Sequence, residues 1–195
     1  MLHQAGLGMS LYTRVGARKY LNADERERFL ASAQSEAPLT RSFCLVLAYT
    51  GCRISEALAL CPRDIQLRSN VISIRTLKKR GNFQVREVPV PEGLSAILDQ
   101  THDISDCAPS GDFPLWPWGR TTAWSQVKNV MKAAEIVGPH ASPKGLRHGF
   151  GIHAVQSGVP LNLVQRWLGH AAMSTTAIYA DAVGPEERAI AQRMW

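Results

Sequence analysis

Between Ser142 and Asp181 the chain sets Lys144, Arg147, His148, His170 and Tyr179 into segments that are otherwise largely apolar. No acidic residue occurs from Ser142 to Ala180. Cations, imidazoles and a phenol without a neighbouring carboxylate make an anion site with a hydroxyl in it. Lys144 and Arg147 stand three apart, so a helix would present them on one face.

The elements that must position these groups are legible around them. Val155, Val159, Leu161, Leu163, Val164, Trp167 and Leu168 supply the buried side of two short helices, broken at Ser157-Gly158-Val159-Pro160. Leu168-Gly169-His170 reads as a helix end, with Gly169 at the left-handed cap position. Ser174-Thr175-Thr176 offers N-cap candidates for a further helix carrying Tyr179.

Upstream, Asn22 and Glu25 form a capping-box start for a helix that turns Phe29 and Leu30 to the core. Leu39 to Tyr49 is apolar enough to be a buried helix, ended at Thr50-Gly51. Arg53 then emerges where two helices meet, with Glu56 or Asp64 as its ion-pair partner. Val71–Leu77 and Arg86–Pro91 read as strands, joined through Lys78-Lys79-Arg80-Gly81-Asn82. An amphipathic helix follows from Gly93 to Gln100. Residues 101–120 read as loop, in which Trp116 and Trp118 either stack on nucleotides or anchor the loop to the core. Thr121 or Thr122 is the expected cap of a helix carrying Trp124, Val127, Val130, Met131 and Ala134. On that helix Lys128 and Lys132 share a face that could reach phosphates. A last helix is expected from Glu186 to Trp195, with an apolar stripe of Ala189, Ile190, Met194 and Trp195.

A chain of 195 residues suffices for one well-cored domain. Its 45% hydrophobic and 19% charged content fits a folded protein. A net charge of +6 points to an anionic partner, nucleic acid first. Cys44, Cys52 and Cys61 sit among apolar residues and show no C-x-x-C spacing, as does Cys107, so buried thiols of a reducing compartment are expected rather than disulfides or zinc. No apolar run is long enough to span a bilayer, and the start shows no signal peptide, which makes the cytoplasm the expected location. Residues 1–19 read as a loose tail and 20–195 as the domain.

Two boxes in this chain resemble those of the tyrosine recombinases, the phage integrases of mobile elements. The first is Thr50-Gly51-Cys52-Arg53-Ile54-Ser55-Glu56-Ala57-Leu58. The second comprises Lys144-Gly145-Leu146-Arg147-His148, Leu168-Gly169-His170 and Tyr179, nine residues on. Lys144 departs from the family pattern, which usually has histidine there. The resemblance implies an α+β, mostly α-helical catalytic domain with a small antiparallel β-sheet. It also implies a partner, double-stranded DNA, with self-assembly as a tetramer on it, and no membrane. Most members carry a separate N-terminal domain, for which this chain has no room; an accessory DNA-binding protein could compensate.

The implied reaction is strand cleavage by Tyr179 through a phosphotyrosyl link, a covalent intermediate that keeps the bond energy for rejoining. Arg53 and Arg147 would clamp the non-bridging oxygens, since guanidinium groups bind them in pairs and stay charged. His170 would add a hydrogen bond. The family's general acid lies on the hairpin, where Lys78 is the first choice and Lys79 the second; Arg80, His148, Lys128 and Lys132 would contact DNA alongside Lys79. Glu56 would orient Arg53. Lys144 can donate to phosphate but, as an ammonium, accepts no proton without a depressed pKa, which leaves the general base open. No cofactor is implied: the sequence shows neither a carboxylate cluster for two Mg²⁺ ions nor a P-loop. Two alternatives share the fold, a non-catalytic DNA-binding regulator and a topoisomerase-like nicking-closing enzyme.

Overall fold

The first helix, α1 (Ala23–Gln34), begins at the expected capping box: the Asn22 side chain accepts from the Glu25 N–H at 2.8 Å, and Glu25 accepts from the Asn22 N–H at 3.0 Å. This computed structural model describes residues 10–76, 84–106, 111–180 and 191–194. The second helix, α2 (Pro38–Thr50), is buried on nearly every side from Ser42 to Ala48, as a helix apolar all round must be. It packs against α1 and against α4 (Glu92–His102), α5 (Arg120–Ala133) and α6 (Pro143–Gln156). Gly51 ends α2 at φ +60°, and a Cβ there would lie 2.5 Å from a ring carbon of Phe150. A glycine is therefore required both for the left-handed turn and for the contact with α6.

A one-turn helix, α3 (Ile54–Ala57), follows, and then an antiparallel sheet of β1 (Ile65–Gln66), β2 (Val71–Thr76) and β3 (Gln84–Pro89) in that order. Ile72 pairs with Val88 and Ile74 with Arg86. Ile72, Ile74, Val88 and Arg86 are all buried, so the two-residue period turns one face of the sheet inward and carries a guanidinium with it. Pro89 ends an edge strand, where a missing N–H costs nothing. Two further α-helices are α7 (Leu161–Leu168) and α8 (Ser174–Ala177). The fold is thus mostly helical with a small antiparallel sheet, as expected.

Several local expectations change. Leu11 and Tyr20 are buried, Tyr12 bridges to Arg18, and the Arg18 guanidinium holds both Glu25 oxygens at 2.7 and 2.9 Å. Residues 10–19 therefore pack as part of the fold rather than trailing as a tail. Gly119, not Thr121 or Thr122, caps α5. Trp116 is an anchor: it is 1% exposed, and its indole N–H donates to the Leu39 carbonyl and Ser42 Oγ, each at 3.1 Å. Cys44, Cys52 and Cys61 are buried free thiols; Cys107 lies outside the described residues. So does most of the expected last helix; of its apolar stripe only Met194 is described, and it is exposed. Among the described residues no helix is long and apolar enough to cross a membrane.

Candidate active site

Two apolar clusters meet at the site. The larger is built on α2; the smaller holds Leu11, Tyr20, Phe150, Ile152, Ala154, Val164, Leu168 and Tyr179. Beside them opens a cleft of about 560 Å³, lined by Arg53, Arg120, Trp124, Lys144, Arg147, His148 and His170 among others, with no acidic side chain in its described lining. Four cations on one concavity make it a strong anion site.

Three of these cations are placed by different local devices. Arg53 stands just before α3, whose i,i+3 spacing brings Glu56 back to it: Arg53 Nη1 meets Glu56 Oε1 at 2.7 Å, and the Arg53 N–H donates to Glu56 Oε2 at 2.9 Å. The Arg147 side chain is buried on α6 and donates from Nη1 to the Gly51 carbonyl at 2.6 Å and from Nη2 to the Leu168 carbonyl at 2.7 Å. It thereby fastens the ends of α2 and α7 to α6. Burial, and then the neighbouring Arg53 charge, lower its pKa to about 10, which leaves it charged at neutral pH. Lys144, one turn earlier at the start of α6, is exposed at the cleft.

Tyr179 lies just past α8, only 1% exposed, with its ring against α6. A Cβ at Gly151 would come within 2.6 Å of that ring, so only glycine lets the tyrosine lie there. Its hydroxyl is 3.1 Å from His148 Nδ1, and the His170 ring stacks on it at 6.2 Å between centroids. Burial pushes the phenol up to about 12, against the pull of Arg147 and Arg53. Burial, with Lys144 and Arg147 adding to it, drops His148 to about 4; burial and then Arg147 drop His170 to about 3. Both imidazoles are neutral at pH 7, so His148 can accept a proton from the phenol. His170 Nδ1 lies 2.9 Å from Thr176 Oγ1; when that hydroxyl donates, Nε2 remains an N–H.

The sequence pattern of the phage integrase family matches residues 19–184. The chain belongs to the phage integrase family. It is 28% identical over 179 residues to the tyrosine recombinase XerD of Listeria monocytogenes, covering 84% of this chain and 58% of that protein. It spans little more than half the length of such curated relatives. The crystal structure of XerA recombinase superposes with a TM-score of 0.76 at 26% identity, over 90% of this chain and 64% of that one. XerH site-specific recombinase bound to difH substrate shares the fold, with a TM-score of 0.71 at 24% identity, over 88% and 52%.

Within this phage integrase domain, the structure brings Arg53, Lys144, Arg147 and His170 to one cleft and sets Tyr179 behind His148, which lines it. Lys78, Lys79 and Arg80 lie outside the described residues; the strand leading to them ends at Thr76. Three expectations on DNA contacts meet different surroundings. His148 is 3% exposed and faces the phenol instead of the surface. Lys128 is half-buried, with its ammonium donating to the Ala141 carbonyl at 2.6 Å and lying over the Trp124 ring. Lys132 is exposed but does not line the cleft. Sequence reading missed Arg120 and Trp124 as cleft residues. Trp124 is 47% exposed although it stands in an otherwise buried apolar series, so only its orientation distinguishes it. Arg86 was also missed; two of its three partners lie 30 and 81 residues away.

These depressed imidazoles make stability sensitive to acid. Between the folded pKa values of about 4 and about 3 and the unfolded value near ~6.5, the unfolded chain binds more protons at His148 and His170. Stability therefore rises with pH through that window and is lost as pH falls below about 6.5. The melting temperature should drop from pH 7 to pH 5, and His148→Phe should flatten part of that slope. An unchanged slope in that variant would place the acid sensitivity elsewhere.

Proposed function

We propose that this chain is the catalytic domain, residues 20–195 with the packed segment before it, of a site-specific DNA recombinase. It cleaves one DNA strand with Tyr179, leaving a 3′-phosphotyrosyl link, and rejoins the strand to a new 5′ hydroxyl. The observation that carries this is the convergence of Arg53, Lys144, Arg147 and His170 on one cleft, with the Tyr179 phenol buried behind its lining residue His148. DNA as substrate is supported by that cationic lining, and by the XerH structure, which is a complex with its difH substrate.

The residues divide the work. Arg53 and Arg147 hold the non-bridging oxygens, where negative charge gathers as the fifth bond forms to phosphorus. His170 Nε2–H and the Lys144 ammonium donate to the same phosphate. His148 receives the phenolic proton, a role that the Lys144 ammonium does not fill without a depressed pKa. A phenol at about 12 beside an imidazole at about 4 is not ionised at rest, so the proton leaves as the oxygen–phosphorus bond forms. Lys78 protonates the departing 5′ oxygen. Tyr179 does not line the cleft in the described conformation, so it must swing outward for attack. Assembly of four copies on DNA, and an accessory DNA-binding protein, would complete the reaction.

Two-site DNA tests the reading against its alternatives. Incubation with a duplex carrying paired sites should give exchanged strands together with a protein–DNA adduct that survives denaturation. An adduct with relaxation but no exchange would mean a nicking-closing enzyme. Binding without any adduct would mean a regulator.

A further inference from the structure

Arg86 is the one inward-facing cation of the sheet among its described residues, and it is 6% exposed. Each of its guanidinium nitrogens has a partner: Nη2 meets Glu56 Oε2 at 2.7 Å, Nη1 donates to Thr76 Oγ1 at 3.1 Å, and Nε donates to the Trp167 carbonyl at 2.7 Å. Every partner stands next to the cleft machinery. Glu56 is the carboxylate that also holds Arg53. Thr76 ends the strand that leads to Lys78. Trp167 precedes Leu168, whose carbonyl accepts from Arg147. Gly169 closes over the group: a Cβ there would lie 3.0 Å from Arg86 Nη1, and its φ is +65°. The glycine before His170 is thus fixed by Arg86 as well as by its own turn.

From this arrangement we infer that Arg86 is a positioning residue that keeps the Arg53 charge available to the substrate phosphate by sharing Glu56 with it. The reasoning is electrostatic. A buried carboxylate paired with Arg53 alone would neutralise the group that is meant to meet an anion. With Arg86 on its second oxygen, the cation–anion–cation set keeps a net positive charge, and Arg53 is the member left 31% exposed at the cleft. Burial pushes the Glu56 carboxyl up, but the Arg86 charge and the hydrogen bonds from Arg53 and Arg86 outweigh it and hold it below the usual carboxylate range, so it stays an anion for both arginines. The inference deepens the proposed reaction and rests on Arg53 being its phosphate clamp.

The test uses the full chain and a probe that needs no catalysis. Binding of inorganic phosphate is followed through the Arg53 Nε–H NMR resonance, assigned with Arg53→Lys. Arg86→Gln should weaken phosphate binding at Arg53 at least ~5-fold, because Glu56 then pairs with Arg53 alone in a low-dielectric setting. The double variant Glu56→Gln/Arg86→Gln removes the anion as well, and should return binding to within ~3-fold of wild type. Because it leaves no unpaired buried charge, the double variant also decides the matter if Arg86→Gln does not fold. A double variant that binds as poorly as Arg86→Gln, or an Arg86→Gln protein that binds as wild type does, would overturn the inference. So would a wild-type chain that shows no phosphate at Arg53. Strand cleavage by wild type on a nicked duplex is run alongside; its failure with phosphate binding intact would sink the proposed reaction and leave the role of Arg86 standing.

Discussion

Tyr179→Phe should abolish the covalent protein–DNA adduct, with cleavage of a nicked suicide duplex falling by at least ~10⁴-fold, because no other oxygen occupies that position. DNA affinity should stay within ~3-fold of wild type, since the phenol is buried and the cations that meet phosphate are untouched. The folded state should lose about 1 kcal/mol, the worth of the single hydrogen bond from the phenol to His148. The removed adduct alone does not locate the nucleophile, because Tyr20 belongs to the same apolar cluster, Tyr12 packs against it, and the two pair through their hydroxyls at 3.3 Å. Peptide mapping of the wild-type adduct is therefore part of the measurement. An adduct that persists in Tyr179→Phe and maps to Tyr12, Tyr20 or Tyr49 would move the chemistry away from this site.

Arg147→Met should damage both chemistry and fold. Its guanidinium is the donor for two buried carbonyls, at Gly51 and Leu168, and methionine leaves both unpaired. Stranding two such acceptors costs about 2–4 kcal/mol, read as a shift in the urea midpoint. Cleavage should fall at least ~10³-fold, the scale for removing a fixed donor to a developing charge. Arg147→Lys keeps the charge but lacks the fork needed to hold two carbonyls and a phosphate together. It should regain part of the stability and little of the rate, below about one-tenth of wild type. A well-folded Arg147→Met protein cleaving within ~10-fold of wild type would remove Arg147 from the clamp.

The two variants probe opposite designs in one site. The Tyr179 side chain is held by packing and one hydrogen bond. Arg147 is tied to two helix ends, so moving it would open the fold. Both are placed by α6, Tyr179 through Gly151 and Arg147 by its own position, four residues apart.

What the sequence by itself determined is what the backbone sets over a few residues. The Asn22–Glu25 box, the apolar run of α2, the left-handed glycines at 51 and 169, and the Arg53–Glu56 pair all follow from spacings of three or four or from a single φ, and all were legible. The two strands were legible as well, β2 from its β-branched residues and β3 from its alternation, although β3 begins at Gln84 and not at Arg86. Tertiary structure alone decided which polar groups face one another across the core. Arg86 reads as one residue of an edge strand until β3 lies against α3 and α7; His148 reads as one more basic residue beside Arg147 until α8 lays Tyr179 over Gly151. Lys128 reads as a free cation until the chain before α6 offers it the Ala141 carbonyl. Residue type and spacing specify what an element can present, but the partner a buried charge meets depends on packing between elements far apart in sequence, where no local period carries information.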